Sequence, residues 1–300
     1  MFKFKKKIAG LTAALVTAAM LVQPAAVMAA NTKPYVALGA DLDSAQRAEV
    51  LSLLGLTEAD LQNNTVVTVT NAEEHQYLDG YVASSVIGSR ALSSCKVVES
   101  SKSGITVETH NITYVTPGMY QNALATAGMK NAEVIVAGPS QISGTAALVG
   151  AMKAYEQMYG KPVDQQRVDG ATNELVTTGE IADAIGDPKK AAELIAAVKQ
   201  IVVQNDMKSE TDIRNAIIDV SNQLQISLTE EEVNDIIALM KKLASLDIDV
   251  DALVEQARSM YEELKNSGID LSEYGITDED VNGFLAFFKG LWQMIKSIFA

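Results

Sequence analysis

The segment Gly138–Thr145 joins an apolar, strand-like run to a helix-like run and carries several small and hydroxyl-bearing residues. Free backbone N–H groups and the positive end of the helix dipole at such a junction can hold a phosphate or a carboxylate. The sequence therefore predicts a site for a small anionic ligand, formed by Gly138, Ser140, Ser143, Gly144 and Thr145. A turn that only caps the helix is nevertheless the favoured interpretation, because the Lys of a Walker loop and the third Gly of the dinucleotide fingerprint are missing.

Hydrolytic chemistry has weaker support. Ser93 and Lys96 have the Ser-x-x-Lys spacing of penicillin-recognising enzymes, in which the Lys activates the Ser. The stretch predicts a strand, however, and a strand would place the two side chains on opposite faces. The alternative function is therefore a hydrolase of wall or phosphorylated material that uses the hydroxyls of the predicted turn. Such an enzyme needs a carboxylate facing the turn, and the candidates are Glu73, Glu74 and Asp79.

No metal or cofactor site is predicted. Cys95 is the only Cys, so an intrachain disulfide is excluded and a small buried apolar residue is expected. His75 and His110 have no second His or Cys at ligand spacing. The alternating acids of Asp247–Asp251 resemble a calcium loop, but they lack its central Gly and its final Glu, which favours a helix cap.

The C-terminal run Gly283–Ala300 contains the only Trp and four of the six Phe. Two Lys and a central Gly make it a poor membrane span. The favoured interpretation is that the apolar face of this helix seals the helical part of the protein, and the alternative is that it contacts a partner or a membrane interface. That face consists of Phe284, Phe288, Leu291, Trp292, Ile295 and Phe299.

The predicted turn needs a scaffold, and residues 31–163 predict an α/β domain, with α+β as the alternative fold class. Runs rich in β-branched residues alternate there with helical patterns. The short polar loop Ser100–Gly104 predicts a hairpin between the third and fourth strands, so the sheet is expected to be mixed. The predicted strands are Tyr35–Leu38, Thr65–Thr70, Leu92–Glu99, Ile105–Val115 and Glu133–Ala137. The predicted helices are Ser44–Leu54, Ala72–Ile87, Gly118–Gly128 and Thr145–Tyr159.

Residues 164–300 predict an all-helical domain that begins after the break at Gly160–Pro162. Apolar residues recur at helical spacing in several successive segments. Asp187, Ser209 and Thr229 precede three of these segments, and their side-chain oxygens can accept from the free N–H groups of a first turn. The predicted apolar faces include Leu194 to Val202, Ile213 to Leu224, and Val233 to Leu243.

Residues 1–30 predict a signal peptide. Four Lys between positions 3 and 7 precede the apolar run Ile8–Val22, and Val27–Ala29 offers small residues for cleavage. Cleavage removes four Lys and no acid, so 20 basic residues would face 38 acidic ones, a net charge of −18. This charge disfavours nucleic acid as a partner, because binding to phosphates depends on Lys and Arg. The expected location is the outside of the cell or the extracellular face of its envelope.

Several phrases of the sequence resemble the YpuA-like family. They are Asn111–Thr116, Tyr120–Gly128, Ser143–Leu148 and Lys153–Glu156. The resemblance extends over nearly all of the mature chain and is most specific through residues 105 to 160. It implies an exported protein of Gram-positive bacteria, grouped as a domain of unknown function, and the family supplies no active site to carry over.

Together these features favour a non-enzymatic binding or interaction module of the cell envelope. The expected partners are an envelope protein or a small anionic ligand, with peripheral membrane contact through the C-terminal run. Nucleic acid is not expected as a partner.

Overall fold

Residues 33–254 are described by the structure, a computed structural model. Five strands and ten helices begin and end within this range. The strands are β1 Tyr35–Gly39, β2 Thr65–Val69, β3 Ser94–Glu99, β4 Ile105–Ile112 and β5 Ala132–Ile142. The helices are α1 Ser44–Leu53, α2 Glu58–Leu61, α3 Asn71–Leu78, α4 Ser84–Ile87, α5 Pro117–Ala127, α6 Thr145–Tyr159, α7 Gln165–Ile185, α8 Pro188–Gln204, α9 Glu210–Leu224 and α10 Glu230–Leu243.

The five strands form one mixed sheet in the order β2-β1-β3-β5-β4. β1 and β2 are parallel, β4 and β5 are parallel, and β3 is antiparallel to β1 and β5. Four strands therefore run in one direction and only β3 runs against them. This confirms the predicted fold class, a mixed sheet followed by helices.

The predicted hairpin between β3 and β4 is wrong, because β5 lies between the two strands. The loop Ser100–Gly104 instead passes around Asn131, the residue before β5. The backbone N–H of Ser100 donates to the carbonyl of Asn131, and the N–H of Gly104 donates to the Asn131 side chain. A loop of this length can cross the two strand spacings, roughly 10 Å, that separate β3 from β4.

Helices cover the sheet from both sides. Val36 and Leu38 of β1 point to α1, and the alternate residue Ala37 points to α6 with Cys95 and Val136. Cys95 is fully buried, as expected from the sequence, and burial raises the pKa of its thiol to about 12. Such a thiol packs as a small apolar group.

Gly150 of α6 lies where the helix crosses β1 most closely. A Cβ at this position would meet the Ala37 Cβ at 2.7 Å and a Val69 methyl group at 3.3 Å. We therefore expect Gly150→Ala to lower the free energy of unfolding by about 1–3 kcal/mol, measured by urea denaturation. Gly80→Ala is the control because nothing lies within 4 Å of its added Cβ. Equal effects of the two changes would contradict the close approach.

Helices α7 to α10 pack beyond α5, and the predicted apolar faces of α9 and α10 are confirmed. Every residue of the predicted sets on α9 and α10 is buried. The predicted caps are also present, since Asp187, Ser209 and Thr229 each accept from a backbone N–H of the first turn. The predicted helix Ala72–Ile87 is divided into α3 and α4, and the short helix α2 was not predicted.

Helix α7 belongs to two apolar clusters. Its first half, including Val168 and Leu175, packs with residues of the sheet and of α6, while Ile181 and Ala182 pack with α8 and α9. The division of the chain at residues 163 and 164 stays a prediction. The predicted signal peptide and the predicted C-terminal contact face lie outside the described residues. None of the helices within residues 33–254 has both the length and the apolar character needed to cross a bilayer.

Candidate functional site

The carboxyl ends of four strands meet at one edge of the sheet, here called the carboxyl edge. α1 follows β1 there, α3 follows β2, α5 follows β4 and α6 follows β5. In open α/β sheets this edge is where ligands bind, because strand ends and helix N-termini leave polar backbone groups there. The predicted turn Gly138–Thr145 lies at this edge.

Helix α6 begins there without a cap from its own N-terminal residue. Gly144 precedes the helix with φ 98° and provides no side chain. Ser93 supplies the missing cap, since its hydroxyl accepts from the backbone N–H of Ala147 at 2.9 Å. α6 is therefore capped by a residue distant in sequence, from the segment before β3.

A second distant residue, Glu74 of α3, places its carboxyl group at the start of α6. The Thr145 hydroxyl donates to Glu74 Oε1 at 2.8 Å, and the Asn71 amide donates to Oε2 at 3.2 Å. Glu74 is 1% exposed, and burial raises the pKa of its carboxyl group. Glu74 thus occupies the place that an anionic ligand would take, next to the positive end of the helix dipole.

The predicted anion site is therefore assembled only in part. Gly144 and Thr145 lie at the helix start, and the Ser143 hydroxyl lies 3.2 Å from that of Thr145. Thr145 is 2% exposed, so its hydroxyl faces the protein interior. Of the three predicted carboxylates, Glu74 contacts the turn, Glu73 pairs with Lys153 and Asp79 with His75. The anionic ligand itself stays a prediction.

Gly138 and Ser140 lie in β5 rather than in a turn, in a large β-bulge. Pairing between the strands is regular up to His110 and Ala137 and resumes at Ile112 and Ile142. Four residues of β5, 138–141, therefore lie opposite the single residue Asn111. Bulges of this kind re-aim side chains at the ends of strands.

Three contacts fix the bulge. Asn111 adopts φ 59°, and its side-chain amide donates to the carbonyl of Gly138 at 3.1 Å. The backbone N–H and the hydroxyl of Thr113 both donate to the carbonyl of Ile142, at 2.9 and 3.1 Å. A Cβ on Gly138 would come within 2.7 Å of the Ile142 side chain, so a residue without a side chain is needed there.

Removing the Ser93 hydroxyl tests the distant cap. We expect Ser93→Ala to lower the free energy of unfolding by about 1–2 kcal/mol, because the Ala147 N–H loses its acceptor in a buried position. The exposed Ser52→Ala on α1 is the control, and urea denaturation measures both. A Ser93→Ala variant as stable as the control would contradict the cap.

The other motifs are used in the structure as local contacts. Lys96 donates to the carbonyl of Leu54 at the end of α1, so Lys96 and Ser93 point to opposite sides of the sheet. Asp249 accepts from the backbone N–H of Ala252, and this contact is the predicted helix cap. Asp249 also forms an ion pair with Lys130. Within residues 33–254 no three His, Cys, Asp or Glu side chains gather in a metal-binding group.

Two features of the site escaped sequence reasoning. Ser93 drew attention only through a chance spacing to Lys96, and its role as a cap has no local signal. The bulge was missed because Asn111 and Gly138 are 27 residues apart. A usable signal exists for it: a Gly-Pro pair inside an otherwise apolar strand is typical of a bulge.

Comparison with known proteins gives two matches. The profile of the family described as "Protein of unknown function (DUF1002)" matches residues 38–260. The chain is also 37% identical to a protein of Bacillus subtilis (strain 168) described as "Uncharacterized protein YpuA", over 98% of this chain and 99% of the relative. No solved structure matches the chain. The resemblance found in the sequence is confirmed, and the chain belongs to the DUF1002 family of proteins of unknown function.

Proposed function

We propose that the protein is exported to the cell envelope and acts there as a non-enzymatic binding module, with the carboxyl edge as its contact surface. The observation that carries the proposal is that the one hydroxyl–carboxyl pair described at this edge with the geometry of a nucleophile and its base, Thr145 and Glu74, is buried. Glu74 and Thr145 are 1% and 2% exposed, and each already has a partner. The bulge presents exposed polar residues at this edge, Asn111, Ser140 and Gln141, which are available for contact, and Asp41 and Asp43 after β1 are exposed there as well.

The export half of the proposal rests on the sequence. The basic, apolar and small-residue regions of residues 1–30 follow the order of a signal peptide. The acidic remainder is suited to solubility in the salty exterior of a cell. We propose a location outside the cell or on the extracellular face of the envelope.

One observation favours a hydrolase as the second candidate. The Thr145 hydroxyl donates to Glu74 at 2.8 Å, which is the spacing of a nucleophile and its general base. A substrate must reach both groups, however, and the burial of both prevents this without a rearrangement of α3. The Ser143 hydroxyl is less buried, but its partner is the Thr145 hydroxyl and not a carboxylate. Binding without turnover is therefore the better-supported function.

Binding and turnover can be measured together on envelope material. The mature chain, starting at Asn31, is mixed with isolated walls and membranes of a Gram-positive bacterium and then sedimented. We expect the protein to sediment with one of the two fractions and to release neither phosphate nor soluble muropeptides. Heat-unfolded protein is the control for nonspecific adsorption. Protein that stays in the supernatant with both fractions contradicts a binding module, and released products support the hydrolase instead.

A separate measurement tests export. Expression of residues 1–300 in a Gram-positive host should yield a shortened protein outside the cytoplasm, with its first residue at or next to Asn31. N-terminal sequencing of the extracellular and wall fractions determines this. Full-length protein confined to the cytosol would contradict export.

A further inference from the structure

We propose that the carboxyl edge binds an uncharged, hydroxyl-rich glycan through four exposed residues, here called the neutral patch: Asn111, Thr113, Ser140 and Gln141. The inference rests on the proposed function, because it assigns a ligand class to the same edge. It depends on the construction of the bulge, on the absence of charged residues from the two segments that form it and on the types of its side chains.

The bulge presents the patch as a fixed surface. The Asn111 amide holds one end of the bulge at Gly138, and Thr113 holds the other end at Ile142. Both strands continue from the bulge into helices, α5 and α6, that are buried against the sheet. The patch therefore belongs to the rigid part of the molecule, which lowers the entropic cost of binding.

The patch side chains have unused hydrogen-bonding capacity. All four residues of the neutral patch are exposed. Ser140 and Gln141 form no side-chain hydrogen bond to another residue within 33–254. Asn111 uses one amide hydrogen and leaves its carbonyl oxygen free, and the Thr113 hydroxyl can still accept.

The two segments that form the bulge are free of charged residues. No Asp, Glu, Lys or Arg occurs from Asn111 to Met129, or from Val134 to Met152, in a chain where 21% of residues are charged. Because α5 and α6 are buried, charged residues are not expected along these helices. Burial does not account for the absence of charged residues among the exposed positions that precede the helices. Two uncharged segments thus meet at the bulge.

The ligand class follows from these features. Side-chain amides and hydroxyls both donate and accept, and so do the hydroxyl and acetamido groups of a sugar. An anionic polymer would find no cation in the patch and would be repelled by the acidic chain around it. A neutral glycan meets neither obstacle.

Calorimetric and NMR titrations of the mature chain with N-acetylglucosamine oligomers, with unsubstituted glucose oligomers and with inorganic phosphate test the inference. We expect at least one of the two sugar series to bind and to shift the amide signals of the neutral patch. Phosphate should leave those signals unchanged. Binding of phosphate at Ser143–Thr145 with no binding of either sugar would overturn the neutral ligand and restore the anionic one.

Variants locate the site. Ser140→Ala with Gln141→Ala should weaken sugar binding at least about ten-fold, because hydrogen bonds to the ligand are lost without a change in the fold. Gln157→Ala is the matched control, since Gln157 is an equally exposed Gln on α6 outside the patch. Unchanged affinity in the double variant would overturn the assignment of the site.

The outcome also separates this inference from the proposed function. A protein that sediments with walls but binds neither sugar series has the proposed function with a different ligand, which overturns only the present inference. A protein that binds neither walls, membranes nor sugars lacks both.

Discussion

Lys199→Met is expected to lower the free energy of unfolding by about 3–5 kcal/mol, measured by urea denaturation. Lys199 is 1% exposed on α8, and its ammonium lies 2.7 Å from a carboxylate oxygen of Glu174 on α7, which is fully buried. The Lys199 ammonium also donates to the carbonyl of Asn122 and to the hydroxyl of Thr126 on α5. Without it, the Glu174 carboxylate loses its counter-charge in a place that water does not reach.

The direction of the pKa shift at Glu174 agrees with this expectation. Burial raises the pKa of the Glu174 carboxyl group, and the Lys199 ammonium and the Thr126 hydroxyl act against that rise. Removing both charges should therefore cost less than removing one. We expect Lys199→Met with Glu174→Leu to recover most of the lost stability, because apolar replacements of a buried ion pair are often neutral or stabilising.

An exposed ion pair provides the control. Lys208 and Asp206 form a pair in which both side chains are about three-quarters exposed, 75% and 74%. Lys208→Met should change the free energy of unfolding by less than about 1 kcal/mol. If Lys199→Met had as small an effect, the buried cluster would not tie α8 to α5 and α7.

Glu193→Gln is expected to remove a pH dependence of stability worth about 3 kcal/mol between pH 4.5 and pH 8. Glu193 lies on α8 and is 7% exposed, and one of its carboxylate oxygens has no hydrogen-bond partner. Burial raises the pKa of its carboxyl group to about 7, with Asp187 adding to the rise and Lys189 and Lys190 opposing it.

The sign follows from proton binding. Between about pH 4.5 and 7 the folded protein holds a proton on Glu193 that the unfolded chain has released. The free energy of unfolding therefore falls as the pH rises through this range, because the folded state binds the Glu193 proton more tightly than the unfolded chain does. The amide that replaces the carboxyl group cannot ionise, so the variant keeps the stability that the native protein loses.

Urea denaturation at a series of pH values measures the effect as the difference between variant and native protein, which cancels the other titrating groups. The difference should be near zero at pH 4.5 and reach about 3 kcal/mol in favour of the variant at pH 8. Glu49→Gln, the same change at an exposed position on α1, is the matched control. Parallel curves for Glu193→Gln and the native protein would show that Glu193 titrates alike in both states.

Local signals in the sequence predict much of this fold. Apolar spacing identifies the buried faces of α9 and α10, and Asp187, Ser209 and Thr229 mark helix starts because capping is an interaction over three residues. The continuous apolar character of β5 also predicts a strand covered on both faces. These features depend on contacts between residues close in sequence, so the residue types within one segment are enough to predict them.

Contacts between distant segments escape such reasoning. The order of the strands depends on how α5 carries the chain from β4 back to β5, and the loop Ser100–Gly104 has the same composition whether it joins neighbours or crosses a strand. Lys199 and Glu174 read as surface charges on two helices, although the fold buries them together. The same holds at the carboxyl edge, where the Thr145 hydroxyl, predicted to bind a ligand, donates to Glu74, and the Ala147 N–H at the start of α6 donates to Ser93.

Hydrogen exchange of the mature protein, free and bound to isolated envelope material, tests the central claim that the carboxyl edge is the contact surface of a binding module. The account predicts slower exchange at backbone amides of residues 111–114 and 138–143 on binding, with the amides of α9 unchanged. Protection confined to other segments, with exchange at the bulge unaltered, would contradict it.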